Sequence, residues 1–361
     1  MTELLSSASI GPIKLKNRVI MAPLTRGRAG DNRVPNELMK TYYTQRASAG
    51  MVISEATVVS KEGNGWDQSA GIYTDEMAEG WKHITDAMLK LDCPMVLQLW
   101  HCGRASHSDF HDGELPLSAS AIKLQGDGIH TPKGKKEYET PRAMTQEDIQ
   151  RTVADYQSAA TRAKAAGFAG VEIHGANGYL INQFTDSRSN QRTDEYGGTI
   201  ANRCRLLEEV TQAVLEVWPA DRVGVRISPN GSFNDMGAED FRETHLYIAS
   251  MLNRYKLGYL HIMDGLGFGF HELGKPMVLT EFRALFRQAI IGNVGYTQET
   301  AQDAVIKGDA DMIAFGRPFI TNPDLPLRFA NGQPLTPWND MSTWYTHEAT
   351  GYTDYKALNQ A

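Results

Sequence analysis

The sequence predicts an α/β chain built as a closed (β/α)8 barrel of the TIM type, with an N-terminal hairpin and a lid inserted after the third strand. Three observations carry that expectation. Eight short β-branched runs alternate with longer stretches of helical period. The runs are apolar on both faces, as parallel strands covered by helices are. Polar and aromatic residues gather just past the runs, where a barrel keeps its active site, while the helical stretches stay bland.

The runs are Arg18–Ala22, Met51–Glu55, Pro94–Leu99, Gly170–Ile173, Val223–Ile227, Tyr259–Ile262, Ala289–Gly292 and Met312–Phe315. Between them the period of 3.6 residues predicts helices over Pro35–Ala49, Glu76–Leu91, Gln146–Ala166, Ala201–Val217, Ala238–Tyr255 and Thr297–Lys307. Thr145 followed by Gln-Glu-Asp reads as an N-cap with an acidic first turn. Gly50, Gly167 and Gly308 stand where left-handed residues close helices. Eight units favour a closed barrel over an open doubly wound sheet. Residues 1–17 read as a hairpin around Gly11-Pro12 that plugs the barrel floor. Residues 107–142 form a long excursion rich in Gly, Pro and Lys, without helical period, placed to cap the active-site face.

Composition narrows the function. The 361 residues carry 36 Lys plus Arg against 43 Asp plus Glu, a net charge of −7, with 41% hydrophobic residues. At about 150 residues per domain the length suggests two domains, yet single barrels reach this size, and one domain over 1–361 is expected. No broad basic face is available for nucleic acid. No apolar run approaches a membrane span. Cys93, Cys102 and Cys204 are too few and too scattered for a disulfide framework, an iron–sulfur centre or structural zinc. The N-terminus has neither the basic region nor the apolar run of a signal peptide, so a soluble, cytoplasmic protein is expected.

The strand exits hold the chemistry. His174, Asn177 and Tyr179 follow the fourth run beside Gly175 and Gly178, read as flexible. A His and an Asn can hydrogen-bond one small acceptor such as a carbonyl oxygen, and a nearby Tyr can supply a proton. A core histidine with a stacking tyrosine is the plainer alternative. Gln98 and Arg226 point into the mouth, where a partner must satisfy them; a structural ion pair is the alternative for Arg226. Trp100 is core or site. Gly295, Gly316 and Arg317, at the seventh and eighth exits near the helix start at Thr297, suit a phosphate; turn glycines are the alternative. His101, His107 and His111 lack a recognisable ligand spacing, and no metal is expected.

These residues resemble the Old Yellow Enzyme family of flavin-dependent ene-reductases. The resemblance rests on Ala22–Arg26, Leu97–His101, Val171–Leu180, Arg192–Gly198, Ile313–Arg317, Asn322–Leu325 and Gly351–Tyr355, in the family's order, and spans residues 4 to 358. It implies FMN held non-covalently at the barrel mouth and reduced by NADPH or NADH. Pro23, Leu24 and Thr25 are then expected to line the flavin, with the Thr25 hydroxyl on O4. Ala56 contacts the same edge, Gln98 meets the pyrimidine side, and Arg226 sits near N1–C2. Gly295, Gly316 and Arg317 hold the phosphate. His174 and Asn177 grip the carbonyl or nitro oxygen of an activated alkene: an enone, enal, maleimide or nitroalkene. Hydride passes from flavin N5 to the β-carbon, Tyr179 protonates the α-carbon, and both half-reactions share one site in ping-pong fashion. Trp100, Phe233 and Tyr345 shape the pocket together with Thr25, and phenols are expected as inhibitors of a monomer or homodimer. Thr25, where a thermophilic branch has Cys, points to the classical branch. Thr346–Thr350 departs from the Gly-rich pattern of relatives, which bears on the rim near Tyr345.

Two other readings are a flavin-free barrel lyase or isomerase acting on a phosphorylated substrate, and a flavin-binding sensor or storage protein. The first needs a Schiff-base lysine or a strand-end carboxylate, for which Glu55 and Glu172 are the candidates. The second would leave His174, Asn177 and Tyr179 idle.

Overall fold

Eight parallel strands close on one another in chain order, in a computed structural model that describes residues 2–267 and 269–358. They are β1 (Val19–Met21), β2 (Met51–Val58), β3 (Met95–Trp100), β4 (Gly170–His174), β5 (Val223–Ile227), β6 (Tyr259–Met263), β7 (Ala289–Asn293) and β8 (Met312–Phe315). The ring shuts where Ala314 of β8 pairs with Ile20 of β1. Every strand residue except Ala289 is buried, as strands under a helical layer must be.

The covering helices are α1 (Glu37–Gln45), α2 (Asp75–Lys90), α3 (Gln146–Ala165), α4 (Arg205–Leu215), α5 (Phe241–Asn253), α6 (Leu279–Arg283) and α7 (Gln298–Lys307). Asn36, Thr74, Thr145 and Thr297 start four of them, each side-chain oxygen accepting the backbone N–H three residues on. Asp148 completes a capping box with Thr145. The helix expected over 201–217 is broken at Cys204 into Ile200–Arg203 and α4. Buried Arg203 donates to the Thr185 carbonyl and to Asp240, which ties the first turn to the β4 exit. Helix α6 and the short helices Leu180–Thr185, Arg317–Thr321 and Leu325–Ala330 were not expected; five or six residues are too few to show a helical period. Among the described residues no helix is long and apolar enough to cross a membrane.

Gly167 and Gly308 are left-handed at φ +81° and +76°. Gly50 is not. It is glycine because a Cβ there would lie 2.0 Å from the Asn17 carbonyl oxygen.

Ala8–Ile10 and Ile13–Leu15 form the antiparallel N-terminal hairpin. Ile10, Ile13 and Leu15 join Ile20, Ile53, Val96, Ile291 and Met312 in one buried cluster, so the hairpin seals the barrel floor with apolar side chains. The excursion over 107–142 is more ordered than its composition suggests. Leu117–Ser118 pairs with Arg142–Ala143, and Ile129–Thr131 pairs with Gly134–Lys136. Its Leu124 and Tyr138 pack into the cluster that contains Trp100 and Tyr179.

Candidate active site

Above the apolar floor the barrel interior turns polar. Gln98, Glu172, His174, Arg226, His261 and Asn293 are all buried, an arrangement sustained only if each polar group finds a partner or meets a ligand. A cavity of about 810 Å³ opens over this layer, and every residue assigned to the site from the sequence lines it. A register shift in the β2–β3 pairing between Ile53 and Ala56 sets Ala56 opposite Gln98 and into the cavity wall.

The β4 exit presents three polar side chains in a defined arrangement. The backbone N–H of Ala176 donates to His174 Nδ1 at 3.3 Å, so the neutral ring carries its proton on Nε2. Burial, with the nearby charge of Arg226, holds the imidazole well below the ordinary histidine range. His174 is thus a neutral donor on the cavity wall. Asn177 is left-handed at φ +59°, a conformation Asn tolerates. Its N–H donates to Ser228 Oγ at 2.8 Å and its carbonyl accepts from Asn234 Nδ2 at 2.9 Å, which leaves the side-chain amide for the cavity. Gly178 is no hinge: at φ +68°, a Cβ would come within 2.5 Å of Asn234 Cβ. Gly175 is likewise packed, with the Arg226 carbonyl 3.1 Å from a Cβ built there.

The Tyr179 ring stands edge-on to Trp100 at 4.9 Å and to His174 at 5.1 Å between centroids. Burial raises its phenol well above the usual tyrosine range, so the hydroxyl keeps its proton at neutral pH. The three histidines at 101, 107 and 111 go separate ways. His101 Nδ1 accepts from Gly103 N, His107 Nδ1 accepts from Asp109 N, and His111 Nε2 meets Ser106 Oγ.

Among the described residues Arg226 forms no ion pair. Its Nη2 donates to Asn293 Oδ1 at 2.7 Å, and its Nε has no partner among the described residues. Burial pulls its pKa down to about 10, with Glu172 opposing, and the side chain stays cationic at neutral pH. Gln98 Nε2 donates to Glu172 Oε1 at 2.7 Å, and His261 Nδ1 meets Glu172 Oε2 at 2.9 Å. Sequence reasoning met Glu172 only as a candidate base and missed His261. The available signal was a polar residue inside an apolar run, one strand step below the exit.

At the other end of the cavity Gly295 (φ +82°) has no atom of the described residues within 4 Å of a Cβ built on it, and Gly316 and Arg317 open the short helix Arg317–Thr321. Pro23, Leu24 and Thr25 form the wall between the two ends, along the β1 exit. Phe233 and Tyr345 are half-exposed at the rim, Tyr345 against Trp66 at 5.3 Å. The stretch Thr343–Gly351 that carries Tyr345 is clasped from beneath. Arg28 donates to the Thr343 carbonyl at 2.9 Å and Thr346 Oγ1 at 2.8 Å, and also to the Trp344 carbonyl. Arg26 reaches the Trp344 and Gly351 carbonyls. Neither arginine's partners were legible from the sequence.

No lysine lines the cavity among the described residues, and Glu55 faces the Tyr43 hydroxyl at 3.2 Å behind the strand rather than the mouth. Glu172 also lies outside the lining, and the carboxylate that does reach the cavity among the described residues, Glu299, is exposed on the first turn of α7 rather than set at a strand end as a buried base would be. The donor set instead fits a flat heterocycle with a phosphate tail. The unpartnered Nε of Arg226 and the amide of Gln98 suit a polar ring edge, and open backbone at Gly295 suits an anion.

A parallel barrel with this mouth is the architecture of a flavin-binding oxidoreductase. The chain matches the NADH:flavin oxidoreductase / NADH oxidase family over residues 3–336. It is 43% identical to the Old Yellow Enzyme homologue of Zymomonas mobilis, whose structure superposes with a TM-score of 0.95 over 99% of this chain and 100% of that one. Morphinone reductase in complex with tetrahydroNAD is 40% identical, with a TM-score of 0.92 over 99% and 98%. Chanoclavine-I aldehyde reductase of Penicillium roqueforti is 39% identical over 98% of this chain and 96% of that one. The chain belongs to the NADH:flavin oxidoreductase / NADH oxidase family. It is an FMN-dependent, NAD(P)H-linked oxidoreductase of Old Yellow Enzyme type.

Proposed function

We propose that the chain reduces the carbon–carbon double bond of alkenes activated by a carbonyl or nitro group. When bound, FMN would supply the redox chemistry, the transfer of hydride from a reduced nicotinamide to an electron-poor carbon. His174 Nε2–H and the Asn177 amide donate to the activating oxygen, which draws electron density out of the conjugated bond and exposes its β-carbon. Tyr179 holds a proton at its hydroxyl and gives it to the α-carbon. Thr25, Gln98 and Arg226 hold the flavin's polar edge, and Gly295, Gly316 and Arg317 its phosphate. Trp100, Phe233 and Tyr345 bound the space left for substrate, and the segment 107–142 caps it. Phenols, whose oxygen accepts the same two donors, compete with the alkene.

The observation that carries this reading is the His174 tautomer: a buried neutral imidazole whose remaining N–H belongs to the cavity wall, 5.1 Å from a protonated tyrosine ring. Similarity to a morphinone reductase that binds tetrahydroNAD supports a nicotinamide donor at the same mouth. The test is an anaerobic absorbance experiment on the holoenzyme. Flavin bands bleached by NADPH and restored by cyclohexenone are expected. Bands that bleach but stay bleached with every activated alkene offered would overturn the substrate class.

A further inference from the structure

Glu172 is wholly buried, lies outside the cavity wall, and takes no part in the chemistry described above. Strand pairing sets it directly beside Gln98, whose Nε2 donates to its Oε1 at 2.7 Å. Its other oxygen meets His261 Nδ1 at 2.9 Å. A carboxylate only accepts, so Gln98 must turn its NH2 toward it. The opposite amide orientation would set a carbonyl oxygen against a carboxylate. The Gln98 carbonyl oxygen and second N–H are then left for the cavity, an acceptor beside a donor. That pattern complements a ring N–H beside a ring carbonyl, as on the pyrimidine edge of a flavin.

The same carboxylate shares the polar layer with Arg226. That arginine's place is fixed in turn by Asn293, whose Nδ2 donates to the Ala314 carbonyl at 2.7 Å and whose Oδ1 faces the guanidinium. Burial pushes the Glu172 carboxyl up, but His261, Arg226 and Gln98 together outweigh it and keep it ionised. One buried negative charge therefore stands behind one buried positive charge at the end of the site where reduced flavin gathers negative charge.

We propose that Glu172 is a positioning residue with two effects on the bound flavin: it fixes the Gln98 amide, and its charge offsets that of Arg226. This rests on the reading that Gln98 and Arg226 meet the pyrimidine edge. Two substitutions separate the effects, measured on purified protein by FMN titration of the apoenzyme and by the midpoint potential of the holoenzyme. Glu172→Gln keeps the reach and removes the charge. Its reduced-to-oxidised FMN affinity ratio is expected to rise about tenfold, a shift of about +30 mV for a two-electron couple. Glu172→Asp keeps the charge and shortens the reach. It is expected to weaken FMN binding about tenfold with little change in potential. Because Glu172→Asp retains the carboxylate for His261, it reports even where Glu172→Gln does not fold. Gln98→Ala is the control. If it loses FMN affinity while both folded Glu172 variants match wild type in affinity and potential, the role of Glu172 is overturned alone. If Gln98→Ala binds FMN as wild type does, the placement of Gln98 fails, and this proposal with it.

Discussion

The backbone N–H of Ala176 donates to His174 Nδ1, and that one bond decides which nitrogen of the imidazole carries the proton. Because burial and Arg226 hold the ring well below its usual pKa, it stays neutral throughout the working range. Phenol affinity is therefore expected to show no His174 titration between about pH 6 and 8. A His174→Ala variant should bind FMN normally and a phenol at least about tenfold more weakly. Spectral titration of the holoenzyme reads both, and a break in phenol affinity near pH 6.5 that disappears in the variant would contradict the neutral donor.

Tyr179 is expected to act only after the flavin is reduced. Tyr179→Phe should leave reduction by NADPH unchanged while slowing enone reduction by about 10² to 10⁴. Strongly activated nitroalkenes should tolerate the change better. Stopped-flow measurement separates the half-reactions, and an equal loss in both would assign Tyr179 to the pocket wall instead.

Glu55 makes stability depend on pH. Burial raises its carboxyl from 4.5 to about 7, only partly offset by the Tyr43 hydroxyl and by Arg26 and Arg28. The folded state thus holds a proton that the unfolded chain has released, so stability falls as pH rises from about 4.5 to about 7. The loss is about 3 kcal/mol at full ionisation. Glu55→Gln, which still accepts from Tyr43, should flatten that slope. Urea unfolding at several pH values checks it; parallel slopes for variant and wild type would refute the assignment.

Arg28 secures the rim against residues more than 300 positions away, and its loss takes a donor from the Thr343 and Glu348 carbonyls and from Thr346 Oγ1 in a partly buried place. Arg28→Ala is expected to destabilise the fold by about 2 to 4 kcal/mol. It should also raise KM for bulky alkenes that reach Tyr345 while leaving FMN affinity unchanged. Thermal unfolding together with KM across an alkene size series tests this, and a KM rise uniform across all sizes would argue against the rim.

Local signals in the sequence were enough for the barrel. Eight apolar runs and the caps at Thr145 and Thr297 depend on neighbours three or four residues apart, and such spacing is visible in one dimension. The exits were legible for the same reason: His174, Asn177 and Tyr179 belong to one contiguous stretch past one strand. Long-range partnership was not legible. Glu172 meets Gln98 across 74 positions and His261 across 89, pairings set only when the ring of strands closes and its registers are chosen. Strands buried on both faces also conceal which residues point inward, because apolar alternation is absent. So Glu172 looked like a stray carboxylate, and Gly50 and Gly178 looked like turn or hinge residues until the atoms crowding them were in place. The sequence alone determined the architecture, the family and the stretches that reach the mouth. The tertiary structure decided the tautomer of His174, the amide orientation of Gln98 and the charge balance of the polar layer under the cavity, because each depends on partners brought together by barrel closure.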